Sequence, residues 1–277
     1  MLNRRQFLAT SALAGGSVLS GAKSKLRIGV TDWNLRMAGE VGAVATAAQL
    51  GFEGVEVSLG RKPVDGKLPL DNAELIAKYV AAAKEQKIAL AGTCLDILHV
   101  NYLKNDKQGQ KWVGDSIPIT KKLNARVVLL PFFGKGALET RAEQEYVGDV
   151  LKEYAKEAEK AGILLGLEDT ISAEDNVRIL DRVASKHLKV YYDVGNSTNG
   201  GFDVLKEIPW LGASRICQFH LKDKGYLGEG SINFPEVMKR IMALGFTGFA
   251  NLETSSPSKV IANDMRRNLD FVRKSMG

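Results

Sequence analysis

The pentapeptide Leu50-Gly51-Phe52-Glu53-Gly54 returns almost unchanged as Leu244-Gly245-Phe246-Thr247-Gly248. In both, a helical pattern stops at a glycine and a β-rich run begins at once; Ala161-Gly162-Ile163 does the same. Glycine accepts the left-handed conformation that closes a helix, so these are helix-to-strand corners. The β-rich runs cover 26–31, 55–59, 88–95, 126–133, 163–168, 188–194, 216–221 and 249–253, with amphipathic stretches such as 72–86, 141–160 and 235–244 between them. Strands alternating with helices predict a parallel sheet. Eight such units in about 250 residues predict one α/β domain over 23–277, a single (β/α)8 TIM barrel whose active site lies at the C-terminal ends of the strands. The alternative, an open doubly wound sheet, lacks the Gly-x-Gly-x-x-Gly turn after any run. A chain of 277 residues can bury a sizeable core.

Composition narrows the function. With 45% hydrophobic and 25% charged residues the chain is an ordinary globular one. Two cysteines, Cys94 and Cys217, exclude a disulfide scaffold or a Cys-rich zinc module and read as buried small hydrophobes. The formal charge of +6 falls to +4 without Arg4 and Arg5 and forms no basic block, so no nucleic-acid partner is expected. Those two arginines open Asn3-Arg4-Arg5-Gln6-Phe7-Leu8, ahead of a short apolar stretch and the small-residue exit Ser20-Gly21-Ala22. A charged head, an apolar run too short to span a bilayer and a small-residue exit make a secretory signal. Paired arginines before Phe-Leu resemble a twin-arginine signal over 1–22. It implies Tat export of the folded protein to the periplasm or another extracytoplasmic space, with the Tat machinery as partner. No cysteine follows the exit to anchor a lipid, so no stable membrane anchor is expected.

Successive strand residues face opposite sides. In the last four runs one parity is almost wholly apolar (Leu165 and Leu167; Val190 and Tyr192; Cys217, Phe219 and Leu221; Ala250 and Leu252) and suits the helix side. The other carries Glu168, Asp193, His220 and Glu253 at or near the strand ends, with Tyr191, Gln218, Asn251 and Lys222 beside them. Barrel closure gathers the four around one mouth. Three crowded carboxylates repel one another; a divalent cation removes the conflict. Two Glu, one Asp and one His suit Mn²⁺, Mg²⁺ or Co²⁺ and also admit Zn²⁺. Taken singly, an acidic residue ending a strand is a helix cap or a salt-bridge partner; four on the inward parity of consecutive strands make the joint reading.

At these residues the chain resembles the xylose isomerase-like barrel superfamily, and within it the sugar phosphate isomerase/epimerase group. The matching pieces are Gly166-Leu167-Glu168, Tyr192-Asp193-Val194-Gly195-Asn196, Phe219-His220-Leu221-Lys222-Asp223, Leu252-Glu253-Thr254 and the loop Leu227-Gly228-Glu229-Gly230-Ser231-Ile232-Asn233-Phe234. The resemblance implies one Mn²⁺-type ion held by Glu168, Asp193, His220 and Glu253, polarising the carbonyl of a keto sugar. It implies that Glu168 and Glu253 are the catalytic pair: one takes a proton to give an enediolate and the other returns one. Two departures from the group matter. Asn196 stands where many relatives have His, and Lys222, Lys224 and Tyr226 occupy the stretch where the ketohexose 3-epimerases place an Arg. The ketohexose assignment therefore does not follow.

Five further residues are candidate substrate contacts. Lys222 shares parity with His220, the alternative being a surface pair with Asp223. His99 follows the third run near Asp96, and Trp33 ends the first. Asn196 follows Asp193, and Glu56 lies inside the second run, where a buried structural hydrogen bond is the leading reading and a substrate contact the alternative. Arg61-Lys62 and Lys121-Lys122 read as solvated, and His187 as surface. The leading expectation is a metal-dependent isomerase or epimerase of a non-phosphorylated keto sugar or related polyol, since sugar phosphates stay mostly inside the cell. A lyase or dehydratase acting on a 3-keto-glycoside or inosose through the same site is the alternative. An apurinic endonuclease of the same superfamily needs a multi-histidine, three-metal site that three His cannot supply. A non-catalytic sugar-binding protein has no use for paired glutamates.

Overall fold

Gly51, Gly162 and Gly245 hold φ at 92°, 73° and 64°, the left-handed region expected of the three corners. The computed structural model describes residues 25–277. The signal read over 1–22 lies outside the described residues. Among the described residues no helix is long and apolar enough to cross a membrane.

Eight parallel strands close into a barrel in sequence order. They are β1 (Lys25–Thr31), β2 (Gly54–Ser58), β3 (Ala89–Cys94), β4 (Val127–Pro131), β5 (Leu164–Glu168), β6 (Leu188–Asp193), β7 (Ile216–Leu221) and β8 (Thr247–Leu252). Closure comes from β1, which pairs with β2 on one side and with β8 on the other. The outer ring comprises α1 (Gly42–Leu50), α2 (Ala73–Gln86), α3 (Lys107–Lys122), α4 (Arg141–Ala161), α5 (Ala173–Val183), α6 (Val194–Asn199), α7 (Val204–Arg215), α8 (Phe234–Ala243) and α9 (Ile261–Met276). This is a single (β/α)8 TIM barrel. The eighth strand starts two residues before the predicted run, at Thr247, directly after its corner.

Helix α4 shows why these segments form. Thr140 caps it in a reciprocal box with Glu143, which satisfies two N-terminal donors. Val147, Leu151, Ala155 and Ala158 recur at helical spacing and bury one stripe. The main core lies between the helices and the outward face of the strands, where Val55, Val57, Leu165, Leu167, Phe219, Leu221 and Leu252 are all fully buried.

A second cluster, Cys94, Val127, Leu129, Tyr191 and Cys217, fills the barrel interior. It corrects the expected facing of Cys217. Val190 pairs with Ile216 but Tyr191 pairs with Gln218, so Cys217 is skipped at a bulge. The bulge resets the alternation and turns the thiol inward. Room for it comes from Gly166, where a Cβ would lie 2.7 Å from Cys217 Sγ and 3.1 Å from Tyr191 Cβ. Both cysteines are free and buried, as expected.

Candidate metal centre

The inward parity of β5 to β8 delivers its polar residues to the C-terminal mouth. Glu168 ends β5, Asp193 ends β6, His220 is the fifth residue of β7, and Glu253 follows β8. Each offers one ligand atom, and these atoms all lie within 4.8 Å of one another. Glu168, Asp193 and His220 are buried, at 4%, 3% and 0% exposure. The group can hold one metal ion.

The fit can be tested on Asp193. Its Oδ1 accepts the backbone N–H of Asn196 at 2.8 Å and so caps α6. Its Oδ2 is buried with no hydrogen-bond partner and faces the Lys222 ammonium at 3.5 Å and the His220 ring at 3.9 Å. The helix-cap reading and the ligand reading thus apply to one oxygen each. A buried carboxylate oxygen without a donor is costly, and a cation among hard oxygen ligands removes that cost. The donor set of three carboxylates and one imidazole fits a divalent ion such as Mn²⁺.

His220 is wedged between acids. Nδ1 lies 2.8 Å from Glu168 Oε1, and Nε2 lies 2.8 Å from Glu56 Oε2. Burial lowers the ring's pKa, but Glu168, Glu253 and Glu56 outweigh it and raise the pKa well above the usual value. Burial also pushes Glu168 and Asp193 up. Glu253 goes the other way: burial would raise it, but His220, Lys222 and the Trp33 indole hold it below the usual range. Trp33 Nε1–H donates to Glu253 Oε1 at 3.0 Å, and Lys222 Nζ donates to Glu253 Oε2 at 2.6 Å. The two glutamates therefore sit in opposite electrostatic settings.

The mouth opens into a cavity of about 610 Å³. It is lined by Glu168 and Glu253 together with Trp33, His99, Asn196 and Lys222, four of the five predicted substrate contacts. Lys222 pairs with Glu253 and lies 3.5 Å from Asp193, so it belongs to the site and not to a surface pair with Asp223. Its stem passes over Gly195, where a Cβ would lie 2.9 Å from Lys222 Cβ, Cγ and O.

Glu56 is the exception: the structure gives it the buried hydrogen bonds of the leading reading and not the substrate contact. It is wholly buried and does not line the cavity. Its Oε2 accepts from His220 Nε2, from Tyr191 Oη at 2.8 Å and from Asn251 Nδ2 at 3.3 Å. A carboxylate behind a ligating histidine fixes the ring's tautomer and orientation. The position inside β2, not at its end, sets it one layer below the mouth.

Arg61, expected to be merely solvated, is exposed but lines the cavity, as do Ser58, Asp96 and Phe133. All four end or follow β2, β3 or β4. The strand-end rule applied to the last four strands, carried to these three, picks out the same positions.

The profile of the family described as Xylose isomerase-like TIM barrel matches residues 44–275. The chain belongs to that family. Among individual proteins, it is 24% identical to the 2-epi-5-epi-valiolone 7-phosphate 2-epimerase of Actinoplanes sp. over 204 residues, 71% of this chain and 72% of that one. It is 28% identical over 123 residues to an uncharacterized protein of Methanocaldococcus jannaschii, spanning 38% of this chain and 42% of that protein. Solved structures share the fold. The D-psicose 3-epimerase of Clostridium cellulolyticum H10, solved with D-tagatose, superposes with a TM-score of 0.76 at 16% identity, covering 90% of this chain and 99% of that one. The 3-keto-D-glucoside 4-epimerase of E. coli gives 0.73 at 17% identity, covering 90% and 100%.

Proposed function

We propose that this protein is a divalent-metal-dependent isomerase or epimerase of a non-phosphorylated keto sugar or related polyol. The observation that carries the reading is the convergence of Glu168, Asp193, His220 and Glu253, ligand atoms within 4.8 Å, at the floor of a cavity large enough for a sugar. The epimerases named among the relatives support it, as does membership of the family.

Glu168, Asp193, His220 and Glu253 would hold a divalent ion, Mn²⁺ first among the candidates, which would supply polarisation of the substrate carbonyl and so a more acidic neighbouring C–H. The remaining work falls to the chain. Glu168 and Glu253 reach the site from β5 and β8 and flank the carbon between them. One carboxylate accepts the proton and the other returns one to the opposite face, which inverts the centre; return to the neighbouring carbon isomerises the sugar. Trp33 and Lys222 hold both oxygens of Glu253 and fix its orientation. Lys222 also brings positive charge to the place where the substrate oxygen becomes anionic. Asn196, after β6, and His99, after β3, line the cavity and offer hydrogen bonds to hydroxyls.

Mn²⁺-loaded protein in D₂O should incorporate deuterium at one substrate carbon of a keto sugar and conserve its mass otherwise. No exchange across free keto sugars, 3-keto-glycosides and keto-inositols overturns the reading. Elimination through the same residues, a lyase or dehydratase, is the second reading; the free space on the β2–β4 side of the cavity gives a departing group somewhere to go. Loss of water or aglycone from the product mass distinguishes it. Residues 4–8 support export through the Tat system to the periplasm or an equivalent compartment. Fusion of residues 1–22 to a reporter tests this: export that persists after Arg4 and Arg5 become Lys excludes the twin-arginine route.

A further inference from the structure

The cavity is larger than the reaction needs. Even at the roughly 30 Å³ that a water occupies in the liquid, the twelve non-hydrogen atoms of a hexose fill about 360 Å³, against about 610 Å³ present. The excess has its own wall. In a ring of eight strands, β2, β3 and β4 stand across from β6, β7 and β8. The metal-binding group and Lys222 come from β5 through β8, whereas Arg61, Asp96, His99 and Phe133 come from the loops after β2, β3 and β4.

The chemistry of that wall is specific. The His99 and Phe133 rings stack, with centroids 6.1 Å apart and planes within 21°, and both are half-buried at the cavity surface. Ser58 Oγ donates to Asp96 Oδ2 at 2.6 Å and fixes that carboxylate at the wall. The Arg61 side chain is exposed and near enough to act on the charges of Asp96 and His99, yet it makes no hydrogen bond or ion pair among the described residues. An aromatic shelf suits the C–H face of a sugar ring. A guanidinium with free donors and a carboxylate supply both signs of hydrogen bond for hydroxyls. An apolar aglycone would displace water from Arg61 and Asp96 without replacing its hydrogen bonds, at a cost. A phosphate would have to lie beside Asp96, whose charge opposes that of Arg61.

We infer that this wall is a second sugar subsite, and that the natural substrate is a glycoside of two rings. The keto ring lies at the metal end, and the ring beyond it lies against Arg61, Asp96, His99 and Phe133. The inference rests on the proposed sugar chemistry of the metal end, but its test is a binding measurement independent of turnover.

Two probes differ only in the second ring: methyl 3-keto-glucoside and a 3-keto-glucosyl disaccharide. Calorimetric titration of the Mn²⁺-loaded full chain should show the disaccharide binding at least tenfold more tightly. Arg61→Ala, which removes an exposed side chain, and Phe133→Ala should each bring that ratio below threefold. A wild-type ratio near one, binding of neither probe, or a ratio untouched by both variants overturns the inference. Deuterium exchange on the same probes separates it from the parent reading. A tenfold ratio without exchange keeps the subsite and removes the proton-transfer chemistry. Exchange with a ratio near one removes the subsite alone.

Discussion

Replacing Glu56 by Gln keeps the shape of the side chain under His220 and removes its charge. Oε2 takes three buried donors, from His220, Tyr191 and Asn251, while Oε1 is buried with no partner. Hydrogen bonds to a charged acceptor contribute about 1.5–3 kcal/mol against about 0.5–1.5 for neutral ones, so the change to an amide costs about 1–2 kcal/mol. The amide NH₂ then occupies the partnerless Oε1 position, and an unsatisfied buried donor adds about 1–3 kcal/mol. A total of about 2–5 kcal/mol lowers the melting temperature by roughly 4–20 °C in a chain of this size. Loss of the partner behind a ligating histidine lowers metal affinity by roughly 10–100-fold. Thermal melts with chelator and Mn²⁺ titration read the two effects separately. Tyr191→Phe is the control: it removes a donor from the same carboxylate oxygen but leaves the His220 contact, so it costs about 1.5–3 kcal/mol and leaves Mn²⁺ affinity within threefold. A Glu56→Gln protein with a lowered melting point but wild-type Mn²⁺ affinity would refute the reasoning, because His220 would then not be a ligand oriented by Glu56.

Other predictions concern the surroundings of the site. Burial pushes the Asp32 carboxyl up to about 8, against the backbone N–H groups of Gly39 and Ser58 that it accepts. The folded chain keeps a proton there that the unfolded chain, with the ordinary value of 3.8, releases. Stability therefore falls as pH rises from about 4 to about 8, by up to roughly 5 kcal/mol, and urea midpoints at pH 5 and pH 8 should differ less in Asp32→Asn than in wild type. Gly166→Ala drives a Cβ toward Cys217 Sγ and Tyr191; overpacking of this kind costs about 1–3 kcal/mol, read as a lower urea midpoint. Gly195→Ala displaces the Lys222 stem, so it should depress kcat of the proposed reaction and raise KM with little change in far-UV circular dichroism. Kinetics indistinguishable from wild type would show that the ammonium does not act at the site.

The barrel was legible because its signals are local and repeated. A glycine that must turn left-handed, followed by an apolar run, reads the same way at Gly51, Gly162 and Gly245. Glu168, Asp193, His220 and Glu253 were legible because strand parity and closure are both periodic rules. Cys217 was misplaced because a bulge inserts one residue and resets that parity, a change that leaves no mark in composition. Glu56 stayed open between a buried hydrogen bond and a substrate contact because depth along a strand depends on the stagger between strands, which the sequence of one strand does not contain. Arg61 passed as a solvated charge because it is exposed; that it lines the cavity follows from loops after three different strands meeting, which no local pattern contains.

The most direct test of the metal centre is a calorimetric Mn²⁺ titration of chelator-stripped wild type and Asp193→Ala. The account predicts one ion per wild-type chain and at least a hundredfold weaker binding once the Asp193 carboxylate is gone. Absence of a stoichiometric site in the wild type, or equal affinity in the two proteins, would contradict it.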